Sequence, residues 1–188
     1  TSDPEQHIVM LNHLLDNDEF YTYHVNRYID LYNSAFLPDR MVNYLTSIEE
    51  YMAPEMVNQV ARWGGSVAQW ENNVNKIKNF VTVRHSYLPS GLNSCYDLNG
   101  PYEVNFVVDP PQAGRIRINS NTLEDFSFGG NYFGGIETEL EAIKTSPNFE
   151  FSPWELYNHE LSPSVKDEIS TLEFESGDYI TVYFEQGA

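Results

Sequence analysis

Two hydrophobic periods divide the chain. Up to about residue 90, apolar side chains recur every three or four positions, the spacing of one helix face; beyond it they alternate every second position, the spacing of one strand face. In the first half, Ile8, Leu11, Leu14 and Leu15 predict a short helix over 5–15, and Asp16-Asn17-Asp18 breaks it and supplies caps for the next. A second helix over 20–35 carries Phe20, His24, Tyr28, Leu31 and Ala35, with Arg27 and Asp30 spaced as an i,i+3 pair. Pro38 suits a first helical turn ahead of Met41, Leu45, Ile48 and Met52, and Pro54 repeats the device for Met56, Val60 and Trp63. Gly64-Gly65 then stops the chain's helical run, and Ser66 with Gln69 has the spacing of a capping box. It opens the longest helix, whose stripe is Val67, Trp70, Val74, Ile77, Val81 and Arg84. Pro89 and Gly91, in YLPSGLNSC, are expected to end it.

In the second half, Tyr102, Val104, Phe106 and Val108 alternate with Glu103, Asn105 and Val107 until Pro110-Pro111. Ile116 and Ile118 follow, then Ile136, Thr138, Leu140 and Ala142, then Phe149, Phe151 and Trp154. Ile169 to Phe174 and the run Ile180, Val182 and Phe184 complete the set. Short alternating strands separated by Gly, Asn and Pro turns predict an antiparallel sandwich-like module or a small open sheet. The fold class is therefore α+β: an antiparallel helical subdomain over 1–92, then a β module over 93–188.

Composition narrows the function. With 41% apolar and 14% aromatic residues the chain is globular, and no run of about 18 apolar residues exists to span a membrane. The chain opens TSDPEQH, without an initiator Met or a signal-like segment, which is expected of a fragment of a longer protein. Net charge is −18, and it is uneven: 93–188 carry 17 acids and 4 Lys/Arg, whereas 1–92 carry 11 and 6. Such a surface repels phosphate backbones, so nucleic acid is not an expected partner. A single cysteine, Cys95, allows neither an internal disulfide nor a cysteine-based zinc site.

Candidate chemistry is sparse. Asp16-Asn17-Asp18 is not a calcium loop, because Phe20 occupies the third ligand position and Tyr21 the glycine position. Glu137, Glu139 and Glu141 share one strand face at a spacing of roughly 7 Å, a candidate patch for a metal or a basic partner set against a merely solvated face. Tyr132, Trp154, Tyr179 and Tyr183 are candidates for a platform on which sugar rings stack. Gly129-Gly130 and Gly134-Gly135 lack the Lys-Ser/Thr or the helix that a phosphate loop needs; HExxH and GxSxG do not occur. The chain therefore carries no expected catalytic, cofactor or firm metal residues of its own.

One ordered string is more telling. It begins with Asn17, Phe20, Arg27, Tyr28 and Leu31 in NDEFYTYHVNRYIDLYNSAF and continues through Arg40-Met41, Ile48, Pro54-Glu55-Met56, Arg62-Trp63 and Trp70. It closes with Val74, Ile77, Phe80 and Arg84. In this register the first 90 or so residues resemble the C-terminal part of the CotH kinase family. The second half resembles β modules that follow such regions in large secreted bacterial proteins. The pieces are Gly114-Arg115-Ile116, Tyr132-Phe133-Gly134-Gly135, Leu140-Glu141-Ala142, Phe149-Glu150-Phe151-Ser152-Pro153-Trp154 and Tyr179 to Phe184.

The resemblance implies an atypical kinase that uses ATP and a divalent metal and acts on secreted or surface proteins. Its nucleotide and metal residues would lie upstream of Thr1, and none falls on this chain. The expected role is then a non-catalytic C-terminal fragment at the cell surface or outside the cell, its helices bracing an upstream kinase-like domain. Arg62, Trp63, Trp70 and Arg84 are expected to serve packing. The alternatives are a surface carbohydrate-binding or adhesion module on a helical scaffold, and a structural spacer in an exported multidomain protein.

Overall fold

The computed structural model describes residues 8–187. Five helices come first: α1 Val9–Leu15, α2 Asp18–Tyr32, α3 Pro38–Met52, α4 Met56–Trp63 after a 3₁₀ turn at Ala53–Glu55, and α5 Val67–Tyr96. Eight strands follow: β1 Asn99–Asp109, β2 Gly114–Ile118, β3 Asn121–Thr122, β4 Ser127–Gly134, β5 Glu137–Lys144, β6 Phe149–Leu156, β7 Ile169–Glu173 and β8 Asp178–Gln186. The fold is α+β, and no described helix is long and apolar enough to cross a membrane. Residues 5–7 of the first expected helix lie outside the described residues.

The local signals act as the sequence chemistry requires. The Asn17 side-chain oxygen accepts from Phe20 N at 2.8 Å, so the acidic knot caps α2. Gly64 and Gly65 adopt φ of 82° and 92°, conformations that only glycine takes without strain, and Ser66 Oγ caps α5 by accepting from Gln69 N at 3.1 Å. Pro89 does not end α5, which continues to Tyr96. An interior proline costs about 3 kcal/mol. Leu88 and Leu92, one position before it and three after, are buried. Two buried leucines recover roughly that amount at about 1.5–3 kcal/mol each.

Two compact units result, Thr1–Asp30 with Leu92–Ala188, and Leu31–Gly91. The division runs through α2 rather than placing all of 1–92 together. In the Leu31–Gly91 unit, neither α3 nor α4 has a buried residue. Ile48, Tyr51, Met52, Val57 and Trp63 are exposed there, as are Ile77 and Phe80 of α5. The stripes that periodicity marks as apolar thus form, but they are only half-buried at positions such as Met41, Leu45, Trp70 and Val74. Glu49 and Lys78 form a half-buried pair at 2.5 Å, and Tyr32 stacks on His85 with ring centres 4.5 Å apart.

The other unit is a β-sandwich. One sheet has the order β4-β1-β8-β6 and the second β3-β2-β5-β7. All pairs are antiparallel except β1 with β8, which run parallel from Val104 opposite Asp178 to Asp109 opposite Tyr183. The inward residues of both sheets form one core: Val104, Phe106, Ile180 and Phe184 from the first, Ile116, Ile118, Leu140 and Leu172 from the second. Val25 and Ile29 of α2 belong to the same core.

Strand β4, SFGGNYFG, carries no alternation that sequence reading could follow, because its glycines lower strand propensity. At Gly134 a Cβ would stand 2.2 Å from the Phe174 carbonyl oxygen, so the backbones approach where no side chain fits. At Gly114 a Cβ would meet the buried Phe184 ring at 2.1–2.8 Å. Gly114→Ala is therefore expected to lower unfolding stability by about 1–3 kcal/mol through overpacking. Urea denaturation measures this, and a change under about 0.5 kcal/mol would show that the ring moves aside freely.

Candidate functional site

The most structured polar region lies where α2 meets the second sheet of the sandwich. Its fixed point is Asp30, fully buried on the last turn of α2 within this unit. Ser120 donates to the Asp30 carboxylate twice, from its backbone N at 2.9 Å and its hydroxyl at 2.5 Å. Asn119 precedes it in the two-residue turn between β2 and β3, at φ 48°, a left-handed conformation that asparagine tolerates. Its Oδ1 accepts from Glu139 N at 2.9 Å, and its own N–H donates to the Glu139 carbonyl at 2.9 Å. One carboxylate thereby holds a hairpin turn, and that turn holds β5. Arg27 does not pair with Asp30 through space alone; its guanidinium donates to Ser120 Oγ at 2.9 Å. Burial raises the Asp30 pKa above the ordinary carboxyl range, against the lowering by the Ser120 hydrogen bonds.

Beside this anchor is an open groove of about 520 Å³ lined by Asp18, Glu19, Tyr23, Asn26, Arg27, Glu137 and Glu139, among others. Asn26 is 6% exposed; its Nδ2 donates to the Glu137 carbonyl at 2.8 Å, while its Oδ1 has no hydrogen-bond partner. A buried acceptor left unsatisfied costs about 1–3 kcal/mol.

A second buried pair was not legible at all. His159 Nδ1 lies 2.7 Å from Asp178 Oδ2, and Nε2 accepts from Glu175 N at 3.0 Å. The acceptor role of Nε2 assigns the proton to Nδ1. Asp178 Oδ1 also accepts from the backbone N of Tyr157, Asn158 and Tyr179. With Nε2 taken by a backbone amide, the pair is a latch between the β6–β7 segment and β8 rather than a general base. Its two members are 19 residues apart, and no local motif announces them.

The other sequence candidates scatter. Glu137, Glu139 and Glu141 do share the outer face of β5, where Arg117 bridges Glu139 at 3.6 Å and Glu141 at 2.5 Å. Tyr132 and Trp154 are 1% and 3% exposed, so neither ring offers a face to a sugar. Tyr132 packs edge-on to Phe106, and Trp154 donates its Nε1–H to the Asp167 carbonyl at 3.0 Å. Burial holds the Tyr132 pKa well above that of a free phenol, with the Asp30 charge adding to it. Tyr179 is exposed but meets Tyr157 at 67°, so the two rings share no plane. Tyr183 gives its hydroxyl to Glu155 at 2.7 Å. In the helical unit, Trp63 is 69% exposed and Arg62 lies over it, 5.1 Å from the ring centre; Trp70 is half-buried and Arg84 exposed. Of these four, Trp70 of α5 is the one half-buried within its unit, and it lines one groove with Arg62 and Trp63 of α4.

Comparison with known proteins gives one match. Residues 1–88 match the family model described as CotH kinase protein. Over that stretch the chain is similar to the CotH family. The match ends inside α5 and covers α1 to α4 and most of α5. No curated protein and no solved structure matches the chain.

ATP and a divalent metal are the cofactors that the family resemblance implies; among the described residues, no group of three or more His, Cys, Asp or Glu is arranged to hold a metal ion. Gly129, Gly130 and Gly134, the nearest thing to a phosphate loop, are strand residues of β4 laddered against β1. The raised pKa of Asp30 gives a test of the anchor. A carboxyl that binds its proton more tightly when folded contributes most below the ordinary carboxyl value of about 4 and loses that contribution as pH rises through its raised value. The stability difference between the wild type and Asp30→Asn should therefore shift in favour of the variant from pH 4 to pH 7, read by thermal unfolding. Parallel curves over that window would contradict the burial of this carboxyl.

Proposed function

We propose that this chain is a non-catalytic part of a CotH-like kinase, its helical unit bracing a catalytic portion carried by other residues and its β-sandwich docking or targeting the assembly. The observation that carries this reading is the helical unit's exposed apolar face. Helices α3 and α4 bury nothing yet present Ile48, Tyr51, Met52, Val57 and Trp63. Tyr51, Met52 and Trp63 line one groove, and exposed apolar side chains brought together on a folded surface mark an interaction face. The match of residues 1–88 to a kinase family makes the remainder of such a kinase the natural occupant. On this reading ATP and a divalent metal act in that remainder, and the acidic sandwich favours a secreted or surface setting with cationic partners.

The native polypeptide tests the proposal. Immunoblotting of its source should find it outside the cytoplasm at a mass well above 21.7 kDa. In that polypeptide Trp63→Ala should reduce phosphotransfer, whereas in the 188-residue chain the same change should cost less than about 0.5 kcal/mol, since an exposed side chain is removed. A native product of 21.7 kDa, or a loss of about 3 kcal/mol as for a buried tryptophan, would contradict it.

A further inference from the structure

We infer that the groove between α2 and the second sheet receives an arginine side chain from a basic peptide segment of a partner protein. The inference concerns the sandwich unit and does not depend on the kinase reading. Four carboxylates line the groove, Asp18 and Glu19 from the first turn of α2 and Glu137 and Glu139 from β5. Against them stands a single cation, Arg27, already engaged with Ser120 Oγ at 2.9 Å. Glu139 shares Arg117 at 3.6 Å, so Asp18, Glu19 and Glu137 carry most of the uncompensated charge.

Independently of the charge, Asn26 lines the same groove with a buried Oδ1 that has no hydrogen-bond partner, which calls for a donor. A side chain that is both cationic and rich in N–H donors meets both demands. Tyr23 supplies the third element: 63% exposed at the groove, it offers a ring face on which a guanidinium stacks. A metal ion is the wrong occupant, because no described set of three or more His, Cys, Asp or Glu can ligate one. Arginine fits better than lysine because its planar fork engages carboxylates in pairs and stacks on aromatic rings. The groove volume of about 520 Å³ is that of an ordinary ligand site, roughly 300–1,000 Å³.

The test uses the full 188-residue chain and a fluorescein-labelled peptide of alternating glycine and arginine, with the citrulline version of the same peptide as the neutral match. Fluorescence anisotropy should show binding of the arginine peptide alone. The double variant Glu19→Gln/Glu137→Gln should weaken it roughly five- to tenfold, and Tyr23→Ala roughly twofold or more. Glu124→Gln/Asp125→Asn removes the same charge from exposed positions outside the groove and should leave affinity within about twofold. Equal weakening by the two double variants would reduce the effect to net charge and overturn the site. Equal binding of the citrulline peptide, or no binding of the arginine peptide, would overturn it as well.

Discussion

The structure depends on the way α2 is seated on the sandwich. Val25 and Ile29 enter the β core from one side of the helix, and Asp30 closes the contact by accepting two hydrogen bonds from Ser120 in the β2–β3 turn. The apolar pair supplies affinity without direction; the carboxylate supplies position, because a buried acceptor is satisfied only in one register. From that turn the constraint passes to β5 through Asn119, which bonds Glu139 by both backbone and side chain. A helix that periodicity assigns to the first half of the chain is thus, over most of its length, part of the second.

The other unit obeys the opposite logic. Ser66 caps α5 and the helices carry clear apolar stripes, yet α3 and α4 bury no residue. Amphipathic helices gain most of their stability from packing rather than propensity. Tyr51, Met52, Val57 and Trp63 instead stand in solvent, the kind of exposed apolar surface on which the proposed partner role rests. Together with the family match over residues 1–88, this is what supports the proposal that the helical unit packs against further kinase residues.

Much of the architecture was legible because it rests on period. The stripes at three and four residues located the helices, and six of the eight strands followed from alternation or short apolar runs. Capping was equally readable, since Asn17 and Ser66 act within three residues of themselves. What was hidden rests on distance. Arg27, three residues away, does act on the Asp30 charge, but the hydrogen bonds from Ser120 come from a turn 90 residues on. His159 and Asp178 are unremarkable until the sandwich brings them together. Strand β4 was obscured by its glycines, one of which, Gly134, stands where the Phe174 backbone approaches too closely for a side chain. Burial of Tyr132 and Trp154, against the exposure of Trp63, also reverses what size and aromaticity suggest, because which face of an element meets a partner is decided by the fold.

Native-state hydrogen exchange on the full chain is the most direct test of the seating of α2. Amides from Val25 to Ile29 should exchange with the same high protection as those of β1 and β8, as members of one cooperative unit, while α3 and α4 exchange markedly faster. Exchange of α2 in step with α3 and α4, ahead of the sandwich, would contradict the division at Asp30 and with it the role given to that carboxylate.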